Sequence, residues 1–293
     1  MTTPADASAP SRPAAGPFRS YVAVGDSFTE GMSDPYPPAT HPHGAYRGWA
    51  DLLADRLAEA DPGLRYANLA VRGKLIRQIA DDQVPTAAAF GADLASFAGG
   101  LNDVLRPRCD LGAVRAALEE SAAALAAAGG HLVLFRTADP TRRLKSSARL
   151  MPRIEQLIAY VDDLGARHHA TVVDLFTVRA FDDPRLWAAD RLHLSADGHA
   201  RVAEAVCEAL GLPHDAAWRT PLPAAAPAPW LARRRDDARW AKAHLGPWLY
   251  RRATGRSSGD DRAPKHPDLA PWPTVSRAGP DAAPRPARPS PDA

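Results

Sequence analysis

Tyr21-Val22-Ala23-Val24-Gly25-Asp26-Ser27-Phe28-Thr29-Glu30-Gly31 opens like a buried strand and closes on a turn that carries a serine. The first four residues have the apolar, partly β-branched composition of a short core strand. Gly25 permits a sharp change of chain direction, and Asp26 and Ser27 are turn or helix-start residues. In a parallel α/β sheet, ligands bind beyond the carboxyl ends of the strands, so Ser27 is a candidate nucleophile. A plain strand followed by a helix-capping serine fits the same eleven residues.

Working outward, the same alternation recurs. Residues 47–60 carry Trp49, Leu52, Leu53 and Leu57 at helical spacing and stop at Asp61-Pro62-Gly63. Strands are predicted at 66–70, 93–98, 131–135 and 171–175, with helices after Gly73 and over 111–128, 150–166 and 196–210. Five strands alternating with helices imply a parallel sheet covered on both faces. The expectation is a three-layer α/β domain over residues 18–213 with a five-stranded parallel sheet.

The flanks differ in composition. Residues 1–17 read as a disordered arm, and 214–229 as a Pro/Ala linker. Residues 230–252 combine Trp240, Trp248 and Tyr250 with seven basic residues, and suggest one or two short helices broken at Gly246-Pro247. Residues 253–293 read as a disordered tail. From Leu231 onward thirteen basic residues face seven acidic ones, leaving the tail at +6 and the rest at −4. Such a tail suits weak contact with an anionic surface or a protein, or a helix that packs its tryptophans back on the domain.

Composition excludes several classes. A net charge of +2 argues against a nucleic-acid binder. Cys109 and Cys207 have no ligand spacing and suggest no disulfide framework. The first 17 residues contain no apolar run of the signal-peptide kind, and no segment reaches membrane-spanning length. A cytoplasmic protein is expected. His41 and His43, in a proline-rich loop, lack the acidic or sulfur partners of a metal site.

A nucleophilic serine needs a base, and the base needs an orienting group. Asp190-Arg191-Leu192-His193 precedes the last helix, and a spacing of three lets both side chains reach one point. On spacing alone, an ordinary surface pair fits as well. Acyl transfer also needs donors for the developing oxyanion. Gly73 offers a bare backbone N–H and Asn102 a side-chain amide, each after a successive strand. A helix-start glycine and a turn asparagine account for either one singly.

Taken together, these residues resemble the sequence blocks of the GDSL, or SGNH, hydrolases. Gly25-Asp26-Ser27-Phe28-Thr29-Glu30-Gly31 is similar to the first block, with Phe28 where the family's name has leucine. Gly73 within Asn68-Leu69-Ala70-Val71-Arg72-Gly73 matches the second, and Gly100-Leu101-Asn102-Asp103 the third. Asp190-Arg191-Leu192-His193, with Gly198-His199 downstream, matches the last. The resemblance covers about two-thirds of the chain and implies a flavodoxin-like sandwich that hydrolyses small esters without a metal or other cofactor. It implies Ser27 as nucleophile, His193 as base, Asp190 as orienter, and an oxyanion hole from Ser27, Gly73 and Asn102.

Two readings compete with a simple esterase. One is a carbohydrate O-acetyl esterase or acyltransferase using the same residues; the other is a scaffold acting through its basic tail. The pocket is expected among loops 32–47, 104–110 and 138–149, where Arg106, Arg108, Arg142, Arg143 and Lys145 are solvated loop charges or attract an anion. Gly255-Arg256-Ser257-Ser258-Gly259 has the Gly-x-Ser-x-Gly form of a nucleophile elbow but lacks the required strand and helix around it. His199, at a helix start, reads as structural, and Asp26 as a turn-fixing acceptor.

Overall fold

Along the first strand, Tyr21 and Ala23 point into one apolar layer, and Val22 and Val24 into the other. That period of two places β1 inside a sheet covered on both sides. The computed structural model describes residues 18–36, 46–141, 145–224, 229–247 and 257–273. In chain order, β1 (Ser20–Gly25) runs into α1 (Ser27–Glu30), followed by α2 (Gly48–Ala60), β2 (Arg65–Asn68), α3 (Ile76–Asp82) and α4 (Val84–Phe90). Next come β3 (Leu94–Ala98), α5 (Leu101–Val104), α6 (Leu111–Ala127), β4 (His131–Arg136), α7 (Met151–Arg167), β5 (Thr171–Asp174) and α8 (Ala196–Leu210). α9 (Trp230–Trp240) and β6 (His266–Pro271) complete the described elements.

The strand order is β5-β4-β3-β1-β2-β6. β1 to β5 pair in parallel. One layer packs Trp49, Leu53 and Leu57 of α2 and Val202 and Val206 of α8 on the sheet. The other packs Ile79 of α3, Leu118 and Leu125 of α6, and Ile154 and Leu157 of α7. Helix starts are set by local acceptors: Asp110 accepts from Gly112 N and Ala113 N, and Ser195 from Gly198 N.

The expected five-stranded sheet is corrected to six. β6 pairs antiparallel with β2, on the edge of the sheet, and it comes from the stretch read as a disordered tail. Its sequence, His-Pro-Asp-Leu-Ala-Pro, buries only Leu269 and carries no strand alternation. An edge strand tolerates prolines because its outer N–H groups face away from the ladder. β6 is fixed instead by side chains around it. Trp272 N donates to Leu64 O at 2.8 Å, the Trp272 ring meets Tyr66 edge-on, and its Nε1 donates to Asp55.

The other flanks also depart from expectation. The stretch read as a linker from residue 214 begins with a short helical turn, Ala216–Arg219, that buries Trp218 against α8. α9 continues through a wider helical turn, Ala241–Leu245, and the helix runs on through Gly246 and Pro247 rather than breaking there. Residues 1–17, 225–228, 248–256 and 274–293 lie outside the described residues, as do His41 and His43.

Candidate functional site

Ser27 is the first residue of α1, directly beyond the carboxyl end of β1. Asp26 caps the helix by accepting from Phe28 N at 3.0 Å, which turns the Ser27 side chain off the sheet edge. Gln83 braces the strand end: its amide accepts from Gly25 N and donates to Gly25 O, each at 2.9 Å. Across the edge, residues 187–194 form a tight turn closed by Ala188 N to His193 O at 2.8 Å, with Arg191 at φ +61°.

The turn and the helix meet. His193 Nε2 lies 3.0 Å from Ser27 Oγ, and His193 Nδ1 lies 2.6 Å from Asp190 Oδ2. Asp190 Oδ1 also accepts from Leu192 N at 2.9 Å and His193 N at 3.0 Å. Burial pushes the Asp190 carboxyl up, but the bonds from His193 and the two amides outweigh it and hold it at about 2. A carboxylate at Nδ1 selects the tautomer with its proton there, leaving Nε2 to accept from the serine hydroxyl.

Gly73, at φ +73°, sits in the turn after β2, and neither its N–H nor that of Ser27 has an acceptor among the described residues. Asn102 joins them differently. Its Nδ2 donates to Asp26 Oδ2 and to Lys74 O, both at 3.1 Å, so both amide hydrogens are engaged. The structure thus brings Ser27, Gly73, Asn102, Asp190 and His193 to one edge of the sheet. The model of the GDSL-like lipase/acylhydrolase family matches residues 23–201, a span that includes all five.

The chain belongs to the GDSL-like lipase/acylhydrolase family. It is an ester-hydrolysing enzyme. Solved structures of similar fold include LAE5, an α/β hydrolase from the metagenome of Lake Arreo. That likeness has 23% identity, covers 66% of this chain and 94% of that one, and has a TM-score of 0.53. The structure titled TesA has 21% identity, coverage of 65% and 97%, and a TM-score of 0.53. A catalytic mutant of the acetylxylan esterase Axe2 from Geobacillus stearothermophilus has 18% identity, coverage of 69% and 99%, and a TM-score of 0.56. No curated protein matched the sequence.

In this GDSL-like fold the site opens into a cavity of about 650 Å³. Ser27, His193 and Gly73 stand in its wall with Asn102, and Leu101, Leu105, Ile154 and Ile158 form part of an apolar lining. Loop residues Met32, Arg106, Ala138 and Ser147 also contribute, one or more from each expected loop. Arg142, Arg143 and the Lys145 side chain lie outside the described residues.

The remaining candidates resolve individually. His199 is buried, with Trp49 N 3.3 Å from its Nδ1 and Met32 O 3.1 Å from its Nε2; burial pushes its ring down to about 4. Neutral imidazole is therefore a structural bridge there. Burial raises Asp26 to about 6 against the pull of Phe28 N. Among the described residues no cluster of His, Cys, Asp or Glu has a metal-binding arrangement, and no helix is long and apolar enough to cross a membrane.

Sequence reasoning missed four features of the site. Gln83 showed only as a polar residue between α3 and α4. Glu30 joins α1 to the Gly73 turn, accepting from Arg72 N at 2.7 Å and pairing with the Arg72 guanidinium. Trp240 and Ser257, from the stretch after the family match, reach the cavity wall. The acidic residue near the end of the first block and the basic one beside Gly73 were the signal for the Glu30–Arg72 pair, and the tail's tryptophans and its Gly-x-Ser-x-Gly run were signals for Trp240 and Ser257 that did not point to this site.

Proposed function

We propose that the protein is a serine esterase that cleaves a small carboxylic ester with an apolar acyl group through an acyl-enzyme on Ser27. The observation that carries this reading is the continuous path from Ser27 Oγ to His193 Nε2 at 3.0 Å and from His193 Nδ1 to Asp190 at 2.6 Å. Ser27 Oγ attacks the ester carbonyl carbon while His193 Nε2 takes the hydroxyl proton. The carbonyl π pair moves onto oxygen, and the N–H groups of Ser27 and Gly73 stabilise that charge. Asn102 joins them by exchanging one of its two present acceptors for the oxyanion. Collapse breaks the bond to the alkoxy oxygen, which leaves with the proton from His193. Water, deprotonated by the same nitrogen, then releases the acid and restores Ser27. Asp190 stays ionised throughout and stabilises the imidazolium.

The cavity supports the substrate class. Its size lies within the roughly 300–1,000 Å³ of small-molecule sites, and leucine and isoleucine walls favour an apolar acyl chain over a sugar. The test is turnover of p-nitrophenyl acetate, butyrate and octanoate by wild type and Ser27→Ala. The expected result is turnover rising with chain length beyond acetate, and at least a thousandfold loss in the variant, in the range typical of nucleophile removal. Equal rates in both proteins refute the reading.

A further inference from the structure

The stretch after the hydrolase domain returns to the active site at two places. On one side, Trp240 Nε1 donates to Asp190 O at 2.8 Å, and the Arg191 guanidinium lies 5.1 Å from the Trp240 ring while pairing with Asp237 at 2.6 Å. On the other, Ser257 to Gly259 lies against Arg72 and Gly73. A Cβ on Gly73 would come within 2.2 Å of Ser257 Oγ, and one on Gly259 within 1.9 Å of Arg72 O. Two glycines therefore face each other, and their lack of side chains is what lets the segment press onto the oxyanion turn. The serine between them belongs to the Gly-x-Ser-x-Gly run that has no nucleophile-elbow context.

Ser257 is held in a defined orientation. Its N–H donates to Asp260 Oδ2 at 2.8 Å, and its Oγ accepts from Gly259 N at 3.2 Å. Its hydroxyl hydrogen has no acceptor among the described residues, and Ser257 is one of the residues that line the catalytic cavity. Beside it, Gly73 presents an N–H in the same condition, whereas both hydrogens of the Asn102 amide are taken.

Resting on the esterase reading above, the geometry points to Ser257 as a substrate-binding residue: its hydroxyl donates a hydrogen bond to the ester carbonyl oxygen beside the Gly73 N–H. The bond strengthens as that oxygen gains charge, because a hydrogen bond to an ionised acceptor is roughly twice as strong as one between neutral groups. Ser257 keeps its proton throughout and forms no covalent bond to substrate. The C-terminal segment is thus a wall of the catalytic site rather than an appendage to it.

The experiment compares full-length wild type, Ser27→Ala and Ser257→Ala in two assays. One is steady-state hydrolysis of p-nitrophenyl butyrate; the other is the rate of covalent Ser27 labelling by a fluorophosphonate, whose phosphoryl oxygen enters the oxyanion hole. Ser257→Ala should lower both kcat and the labelling rate about tenfold, with KM within twofold and an unchanged melting midpoint. Rates within twofold of wild type overturn the inference and leave the esterase reading standing. A loss of rate matched by a lower melting midpoint makes Ser257 a packing residue and also overturns it. A wild type that neither turns over nor takes label at Ser27 refutes the esterase reading, and the inference falls with it.

Discussion

Lys265 anchors the C-terminal segment in the domain interior, and replacing it with methionine tests that anchor. Its Nζ lies 2.7 Å from Asp51 Oδ1 and donates to Tyr46 O at 2.9 Å and Arg47 O at 2.6 Å, so all three hydrogens are used. The Asp51 side chain is fully buried and the Lys265 side chain 9% exposed. Burial pushes the Asp51 carboxyl up, but Lys265 and His266 beside it outweigh that and hold it below the usual carboxylate range. Lys265→Met keeps the length of the side chain and removes the charge, leaving a buried carboxylate whose partners among the described residues are Tyr36, Tyr66 and the His266 ring, with Nε2 3.6 Å away. Removing one partner of a buried pair costs about 3–5 kcal/mol. At about 2–4 °C per kcal/mol for a domain of this size, the midpoint should fall by about 6–20 °C. The sign of the pH dependence follows. In wild type the depressed Asp51 adds stability above the unfolded carboxylate range, and that stability is lost as pH falls through its folded value. In the variant, burial acts without Lys265, so proton uptake relieves the penalty and the deficit narrows on acidification from pH 8 to pH 4.5. Adding Asp51→Asn should restore part of the loss. Urea unfolding at several pH values reads all three effects. A deficit below about 1 kcal/mol at pH 7, or one that does not change with pH, refutes the account of a buried ion pair.

Two further outcomes are expected. Trp240→Phe keeps the ring near Arg191 but removes the Nε1 bond to Asp190 O; loosening the turn that carries His193 should lower kcat about three- to tenfold with little change in melting midpoint, an effect of about 0.7–1.4 kcal/mol on the barrier, and an unchanged kcat rules out this positioning role. His199 has a folded value of about 4 against about 6.5 in the unfolded chain, so its contribution is complete above 6.5 and is lost as pH falls towards 4, by about 3 kcal/mol; Asp26, raised to about 6, acts in the opposite direction over the same range, so the observable is the difference between wild type and His199→Gln, which should be largest at pH 7 and shrink towards pH 4, and a constant difference refutes the linkage.

That Ser27, Asp190 and His193 would lie at one edge of the sheet was legible because hydrophobic patterning marks the strand ends clearly. A β-branched run ending in glycine locates the carboxyl edge, and an aspartate three residues before a histidine, just ahead of an amphipathic helix, returns to that edge. The parallel strands and the helices of the domain were readable for the same reason. β6 was not, because its order owes little to its own residues. Pro267 and Pro271 argue against a strand in isolation, and only Leu269 is buried. What holds it is Lys265 reaching carbonyls and a carboxylate more than two hundred residues upstream, with Trp272 seated on Tyr66 and Asp55. Contacts at that separation leave no periodic trace in the segment itself. The Gly-x-Ser-x-Gly run shows the limit most sharply. Motif logic rejects it as a nucleophile elbow, because the polar sequence around it carries no strand or helix pattern. Gly259 is instead required because a backbone must pass over Arg72 and Gly73, a constraint written by a turn elsewhere in the chain. A glycine pattern that fails as one motif still marks a close backbone approach, and here the approach is to the Arg72–Gly73 turn in the wall of the cavity that Ser27 also lines.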